Sequence, residues 1–373
     1  MNNKELETFW NLDEKAHLNN CFNPDAAQVA LGIRMSDECV FSELGVDGDP
    51  WGITPRDVRI KLNIAYNDKA EKIVGKRLLS EHVPEADAVF PAVKRIGELF
   101  GGTYDLLPNA GEWLHSHMKT VKDLEQCLDK VERLNFQEVM LPQNWESEKK
   151  RIYEKYGTRP DPLRWVRGPV TLAMSLFGEE NLIYLYYDEP ELYQRFSQTI
   201  SHVIIQMADI MDQEAFGSVE KAPHGFGFAD DNCYLLTPEM YHAFGYPVLE
   251  SVFAKYCPKQ EDSRYQHSDS PMGHLLPQLA ELGLTGCNFG PTVLVDEIRK
   301  HMPTARIDGC IAPFTFMNND ETAILQEVKR DCDMIKRSGS KGLNISTAGS
   351  INNGSSLQSM LTVMKGIREF GQY

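Results

Sequence analysis

A chain of 373 residues, 42% of them hydrophobic, can bury a large core and is not globally disordered. Its 38 Lys and Arg stand against 54 Asp and Glu, a formal net charge of −16, which repels nucleic acid and anionic membranes alike. Eight cysteines are scattered without a CxxC pair, the start Met1-Asn-Asn-Lys-Glu-Leu-Glu lacks an export profile, and no apolar run reaches 18 residues, so the expectation is a cytoplasmic protein with reduced thiols.

Residues 1–20 are polar with Leu6, Phe9, Trp10 and Leu12 as apolar punctuation, the pattern of a short amphipathic helix. An apolar stretch at 27–41 leads into Gly45-Val-Asp-Gly-Asp-Pro-Trp-Gly52, rich in turn formers. The expectation there is a surface turn with Trp51 anchored in the core, a lid or pocket wall being the alternative. Helices are predicted over 58–80, over 85–100 with Gly101-Gly102 as its stop, and over 124–134. Residues 1–103 therefore read as a mostly helical N-terminal region packed on the domain that follows, residues 104–373.

From about residue 135 the rhythm changes. Short β-prone runs at 137–141, 164–167, 224–228, 264–267, 283–289, 306–311 and 343–347 alternate with helical runs at 146–156, 190–212, 238–255, 272–282, 291–301, 321–337 and 357–370. An eighth strand can lie near 104–107. Alternation of this kind makes a parallel sheet with helices outside, and the count favours an α/β fold of the closed (β/α)8 TIM-barrel type with a helical N-terminal extension. Helix starts are well marked, as in Thr237-Pro-Glu239, where a cap, a proline and an acid follow in order.

A barrel presents its reactive side chains at the C-terminal ends of its strands. After the run at 224–228 comes Phe228-Ala-Asp-Asp-Asn232, where Asp230 and Asp231 crowd two carboxylates together; like charges repel, and a cation or a shared proton relieves them. The bland alternative is a solvated turn with a capping acid. After the next strand come His267 and Asp269 in Arg264-Tyr-Gln-His-Ser-Asp-Ser-Pro271. Residues two apart in extended chain point the same way, so this imidazole and carboxylate can bind a divalent metal or act as an oriented acid–base pair. Otherwise Asp269 caps a helix and His267 is a hydrogen-bonded core residue. Asp230, Asp231, His267 and Asp269 are the candidate catalytic residues, with Asp231, His267 and Asp269 as candidate metal ligands. Asn288, after the following strand, and Gly349 and Ser350, in the loop 346–355 before the last helix, are candidates for cofactor contacts; the N-terminus of that helix can hold an anion. Cys310 is a thiolate candidate.

An ordered series of motifs carries a resemblance. Gly168-Pro-Val-Thr-Leu-Ala173, Thr237-Pro-Glu-Met-Tyr241 with Tyr246-Pro247, His267-Ser-Asp269 with Leu276-x-x-Leu-x-Glu-x-Gly283, and Ile367-Arg-Glu-Phe-Gly371 resemble the uroporphyrinogen decarboxylase superfamily over roughly residues 160–373. The resemblance implies a β/α barrel and one of two activities: porphyrinogen decarboxylation without cofactor, or zinc-dependent methyl transfer involving corrinoid proteins. The decarboxylases carry an arginine-rich N-terminal segment, where this chain has only the scattered Arg34, Arg56 and Arg59. The methyltransferases show His-x-Cys where this chain has His267-Ser-Asp269, and a cysteine in the final loop where it has Ala348-Gly-Ser-Ile351. The resemblance implies a methyltransferase for a small methylated compound with a corrinoid protein partner and a divalent metal, zinc first. The alternatives are a decarboxylase of uroporphyrinogen or another acid, and a non-catalytic barrel subunit of a methyltransferase complex. A homodimer is one assembly the sequence leaves open.

Overall fold

The computed structural model describes residues 1–107, 111–351 and 353–373; Asn352, in the loop singled out before the last helix, lies outside them. Nine strands follow one another among the described residues: β1 (Ala30–Leu31), β2 (Thr103–Leu107), β3 (Gly111–His115), β4 (Trp165–Arg167), β5 (Phe226–Ala229), β6 (Arg264–His267), β7 (Gly286–Asn288), β8 (Arg306–Ile311) and β9 (Leu343–Thr347). Seven of them form one sheet in the order β1-β9-β8-β7-β6-β5-β4, and β2 and β3 form a separate hairpin. No helix among the described residues is long and apolar enough to cross a membrane.

The long helices begin and end where the chain supplies the chemistry. Thr237 accepts a hydrogen bond from Met240 N with Pro238 at the first helical position of Pro238–Tyr256, and Asp320 accepts from Thr322 N and Ala323 N at the start of Glu321–Arg337. Asn2 and Glu5 cap the first helix, Asn3–His17, reciprocally. Gly157 and Gly217 close Trp145–Tyr156 and Pro190–Phe216 in the left-handed conformation.

Several expectations are corrected. The run expected as a strand over 137–141 is the helix Phe136–Met140, whose two buried side chains, Phe136 and Met140, fall four apart on one face. The strand expected near 104–107 is present but antiparallel to β3, with Asp105 opposite Trp113, and is not a member of the parallel sheet. In its place the sheet takes β1 from the N-terminal region, two residues too few to show an alternation. The helix expected over 85–100 is reduced to single turns at Ala86–Ala88 and Ile96–Leu99, because Pro91 stands in what would be its interior. The chain over 291–301 becomes helical only at Val295. Trp51 is not anchored in the core: it is 47% exposed, and neighbouring Ile53 is 97% exposed.

Two compact units are distinguished, the first made of residues 1–83, 266–280 and 284–373 and the second of 84–265 with 281–283. In the first, β1, β9, β8 and β7 lie side by side and pair in parallel, Ala30 opposite Asn344 and Asp308 opposite Asn344. The chain ends are tied here: Val29 N donates to Gly371 O and Tyr373 N to Ala27 O. Asp13 Oδ1 accepts from Leu31 N at 2.7 Å, which holds the first helix to the start of the sheet. Gly32 permits close packing, since a Cβ there would sit 2.7 Å from Asn344 Nδ2. In the second unit β4 and β5 pair in parallel, and the helices Pro190–Phe216 and Pro238–Tyr256 are joined by Tyr193 Oη donating to Met240 O at 3.0 Å and Ser197 Oγ to Phe244 O at 2.6 Å.

The last helix, Leu357–Phe370, does not leave its N-terminus open to a ligand anion. Ser356 caps Ser359 N, and Leu357 N donates to Glu43 Oε2 at 2.8 Å, while Glu43 Oε1 lies 2.6 Å from Lys69 Nζ. The buried Glu43 carboxylate already meets the positive end of the helix dipole. Glu43→Ala is therefore expected to lower the unfolding free energy by about 1–2 kcal/mol, read as a shift of the urea midpoint at constant slope; an unchanged midpoint would show that the carboxylate does not hold this helix.

Candidate active site

The end of β6 sorts its side chains by parity. Gln266 and Ser268 are fully buried, whereas His267 and Asp269 are turned the other way, their side chains 19% and 48% exposed. His267 Nε2 and Asp269 Oδ1 stand 3.0 Å apart. The expectation that residues two apart share a side holds for this pair, and the helix expected over 272–282 is a turn at Gly273–Leu275 followed by Leu276–Glu281.

The surrounding loops of the same unit fix that pair. Ser268 N donates to Asn288 O at 2.9 Å, and Ser270 N donates to Ser268 Oγ at 3.3 Å. The Asn288 amide ties the end of β7 to β8 and to the end of β9: Nδ2 donates to Asp308 O and, at 2.9 Å, to Thr347 O, and Oδ1 accepts from Gly349 N at 3.0 Å. Gly349, at φ 94°, lies directly against the acid: a Cβ there would come within 2.3 Å of Asp269 Oδ1. Asn288 is thus engaged with backbone on three sides, Gly349 clears the space Asp269 occupies, and Ser350 is exposed. The cysteines nearby are core residues. Burial pushes the thiols of Cys287 and Cys310 far up, and Cys310 N donates to Asp331 Oδ2 at 2.9 Å, so the sequence-derived thiolate reading of Cys310 is corrected.

In the second unit the two adjacent acids part company. Asp230 is wholly buried, and its carboxylate accepts from Thr171 N at 2.7 Å and Val170 N at 3.4 Å, the first N–H groups of the helix Pro169–Phe177. Thr171 Oγ1 in turn accepts from Asn232 N at 2.9 Å. Gly168 makes room for this arrangement, since a Cβ there would lie 2.2 Å from Asp230 Cβ. Burial pushes the Asp230 pKa up to about 6, with a smaller push from Asp231, against the N–H donors of Thr171 and Val170. Asp231 opens the turn Asp231–Leu235 and lines a cavity of about 720 Å³ together with Arg167, Ser175 and Trp113.

The profile of the uroporphyrinogen decarboxylase (URO-D) family matches residues 79–370. The chain belongs to this family. Among solved structures, a methyltransferase from Methanosarcina mazei is similar over 98% of each chain, with a TM-score of 0.58 and 16% identity. No curated protein sequence matches. The URO-D fold is a (β/α)8 TIM barrel, and this member shows its parallel sheet in seven strands; the chain is a URO-D-like barrel enzyme.

Arg167 escaped the reading of the sequence. It stands inside Trp165-Val-Arg167-Gly-Pro169, where the Gly-Pro helix start draws attention and the arginine does not. The available signal was its position: a charged residue as the last of a barrel strand, where URO-D-type and other barrels place working side chains.

Two outcomes follow from this geometry. Gly349→Ala is expected to cost about 1–3 kcal/mol of stability, and the double variant Gly349→Ala/Asp269→Ala is expected to recover part of it; strict additivity in denaturant titrations would show that the two side chains do not meet. Asp230 binds its proton more tightly folded than unfolded, so its protonation adds stability below about pH 4 that is lost as pH rises to about 6. Replacing it with asparagine is expected to flatten the fall in stability between those values by up to about 3 kcal/mol, measured as the difference between wild-type and variant unfolding free energies across that range.

Proposed function

We propose that this URO-D family member is a methyltransferase that moves a methyl group between a small methylated compound and a corrinoid carried by a partner protein, with a divalent metal, zinc first, held by His267, Asp269 and Asp231. One observation carries the reading: at the end of β6 an imidazole and a carboxylate turn to the same side, His267 Nε2 and Asp269 Oδ1 standing 3.0 Å apart. The fold of a methyltransferase matched over nearly its whole length adds support.

The donor set fits such an ion. One imidazole nitrogen and two carboxylates bind zinc, and suit manganese or iron as well; two negative charges offset the dication in a partly buried place. Where family methyltransferases use thiolates, this chain offers oxygen, and its nearby thiols are buried and protonated. A bound cation would supply Lewis acidity toward a methoxy or carboxylate oxygen of the substrate. The chain's own residues supply the rest. Gly349 and Gly290 leave room for Asp269, Ser268 and Asn288 hold the backbone beneath it, and in the second unit Asp231 lines a cavity that admits a ligand. Decarboxylation of a polyacidic tetrapyrrole is less well served. Arg167 is the one Lys or Arg lining that cavity among the described residues, and several carboxylates ask for several cationic donors.

Metal analysis after dialysis against zinc, followed by methyl transfer to cob(I)alamin followed by its absorbance change, tests this. The expected result is about one metal per chain in the wild type and loss of at least about tenfold in metal affinity in His267→Ala and in Asp269→Ala. A wild-type protein that takes up no zinc and forms no methylcobalamin from any methyl donor would defeat the proposal.

A further inference from the structure

The cavity beside Asp231 contains a charge that the methyl-transfer reading leaves without a task. Arg167 ends β4 and lines the cavity. Among the described residues its guanidinium has one side-chain hydrogen bond, from Nη1 to Ser175 Oγ at 2.9 Å, and no carboxylate pairs with it. That is unexpected in a chain with 54 acids and 38 bases. Three other arginines of this unit are paired with acids: Arg164 with Asp212 at 2.8 Å, Arg195 with Asp129 at 2.6 Å and Glu132 at 2.7 Å, and Arg151 with Glu148 at 2.9 Å.

From this we infer that the substrate carries a single carboxylate, or an oxyanion of the same shape, and that Arg167 receives it. This assignment deepens the methyl-transfer reading at Asp231 and rests on it for the identity of the other end of the ligand. A guanidinium has five N–H donors in a fixed fork, and a hydroxyl partner leaves most of them to point at a ligand. Ser175, on the helix Pro169–Phe177, is on hand to set the angle of that fork. Trp113, from β3, forms an apolar wall of the same cavity. Glu179 and Glu180, which are exposed, and Asp231 also face it. With three acids around one arginine, a dianion or polyanion is repelled, whereas a monoanion seated on the guanidinium is not. The cavity, about 720 Å³, is large enough to hold a chain that separates the carboxylate at Arg167 from a methyl-bearing end at Asp231. Arg167 is a specificity-determining residue in this view, remote from the reacting bond.

Calorimetric titration of the full chain with 4-methoxybutanoate and with its neutral counterpart 4-methoxybutanamide tests the assignment. The acid is expected to bind at least about tenfold tighter than the amide. Arg167→Gln is expected to erase that preference, and Arg167→Lys to keep only part of it, because a lysine cannot make the forked pair. The titrations are repeated with chelator and in His267→Ala, where the preference is expected to persist. Its persistence alongside absent methyl transfer would fault the methyl-transfer reading alone. Equal affinity for the two probes, failure of both to bind, or an undiminished preference in a folded Arg167→Gln would overturn the assignment, and the comparison of the two probes on wild type stands even if that variant does not fold.

Discussion

The side-chain amide of Asn288 is the joint on which the His267–Asp269 pair rests. A parallel sheet places strand ends next to one another but does not by itself set the loops beyond them. Asn288 does so by using both ends of one amide: its nitrogen satisfies a carbonyl inside β8 and one at the end of β9, and its oxygen takes the N–H of Gly349. The backbone of the same residue accepts from Ser268 N. One buried residue therefore determines both the loop that carries Asp269 and the glycine that lies against it, and no polar atom of the joint is left without a partner.

The acids of this protein illustrate how burial sorts chemically identical groups. Asp230 and Asp231 are neighbours in sequence, yet Asp230 is closed in at the N-terminus of the helix Pro169–Phe177, with its pKa raised by desolvation, and Asp231 faces a cavity. The first is occupied in holding a helix to a strand end; the second lines a cavity. Asp13 and Glu43 repeat the first pattern, one accepting from a strand N–H and the other from the first turn of the last helix. In a chain of net charge −16, backbone N–H groups help to neutralise carboxylates that outnumber the lysines and arginines.

Legibility along the chain followed the length and regularity of the elements. The strands Arg264–His267, Arg306–Ile311 and Leu343–Thr347 and the helices Glu321–Arg337 and Leu357–Phe370 match the expectations residue for residue, because each combines a clear period with a marked cap. The misreadings share a cause of the opposite kind. Phe136–Met140 is too short for its period to distinguish helix from strand, and β1 is too short to show any period at all. Pro91 overrode an otherwise helical composition. Around the site, His267 and Asp269 were legible from their spacing of two. The roles of Asn288 and Gly349 were not, since a bridging amide and a cleared volume are defined by partners 20 to 61 residues away in the chain.

What the sequence by itself determined is the family and its barrel of alternating strands and helices, together with the parity that turns His267 and Asp269 to one side, because periodicity, caps and ordered motifs are local properties of the chain. What only the tertiary structure decided is which acid of the Asp230–Asp231 pair is enclosed, which residue keeps space open for Asp269, and that Arg167 reaches a cavity without an acidic partner among the described residues. Those depend on burial and on contacts between segments distant in sequence, which change the energy of a charge by more than the identity of its neighbours along the chain does.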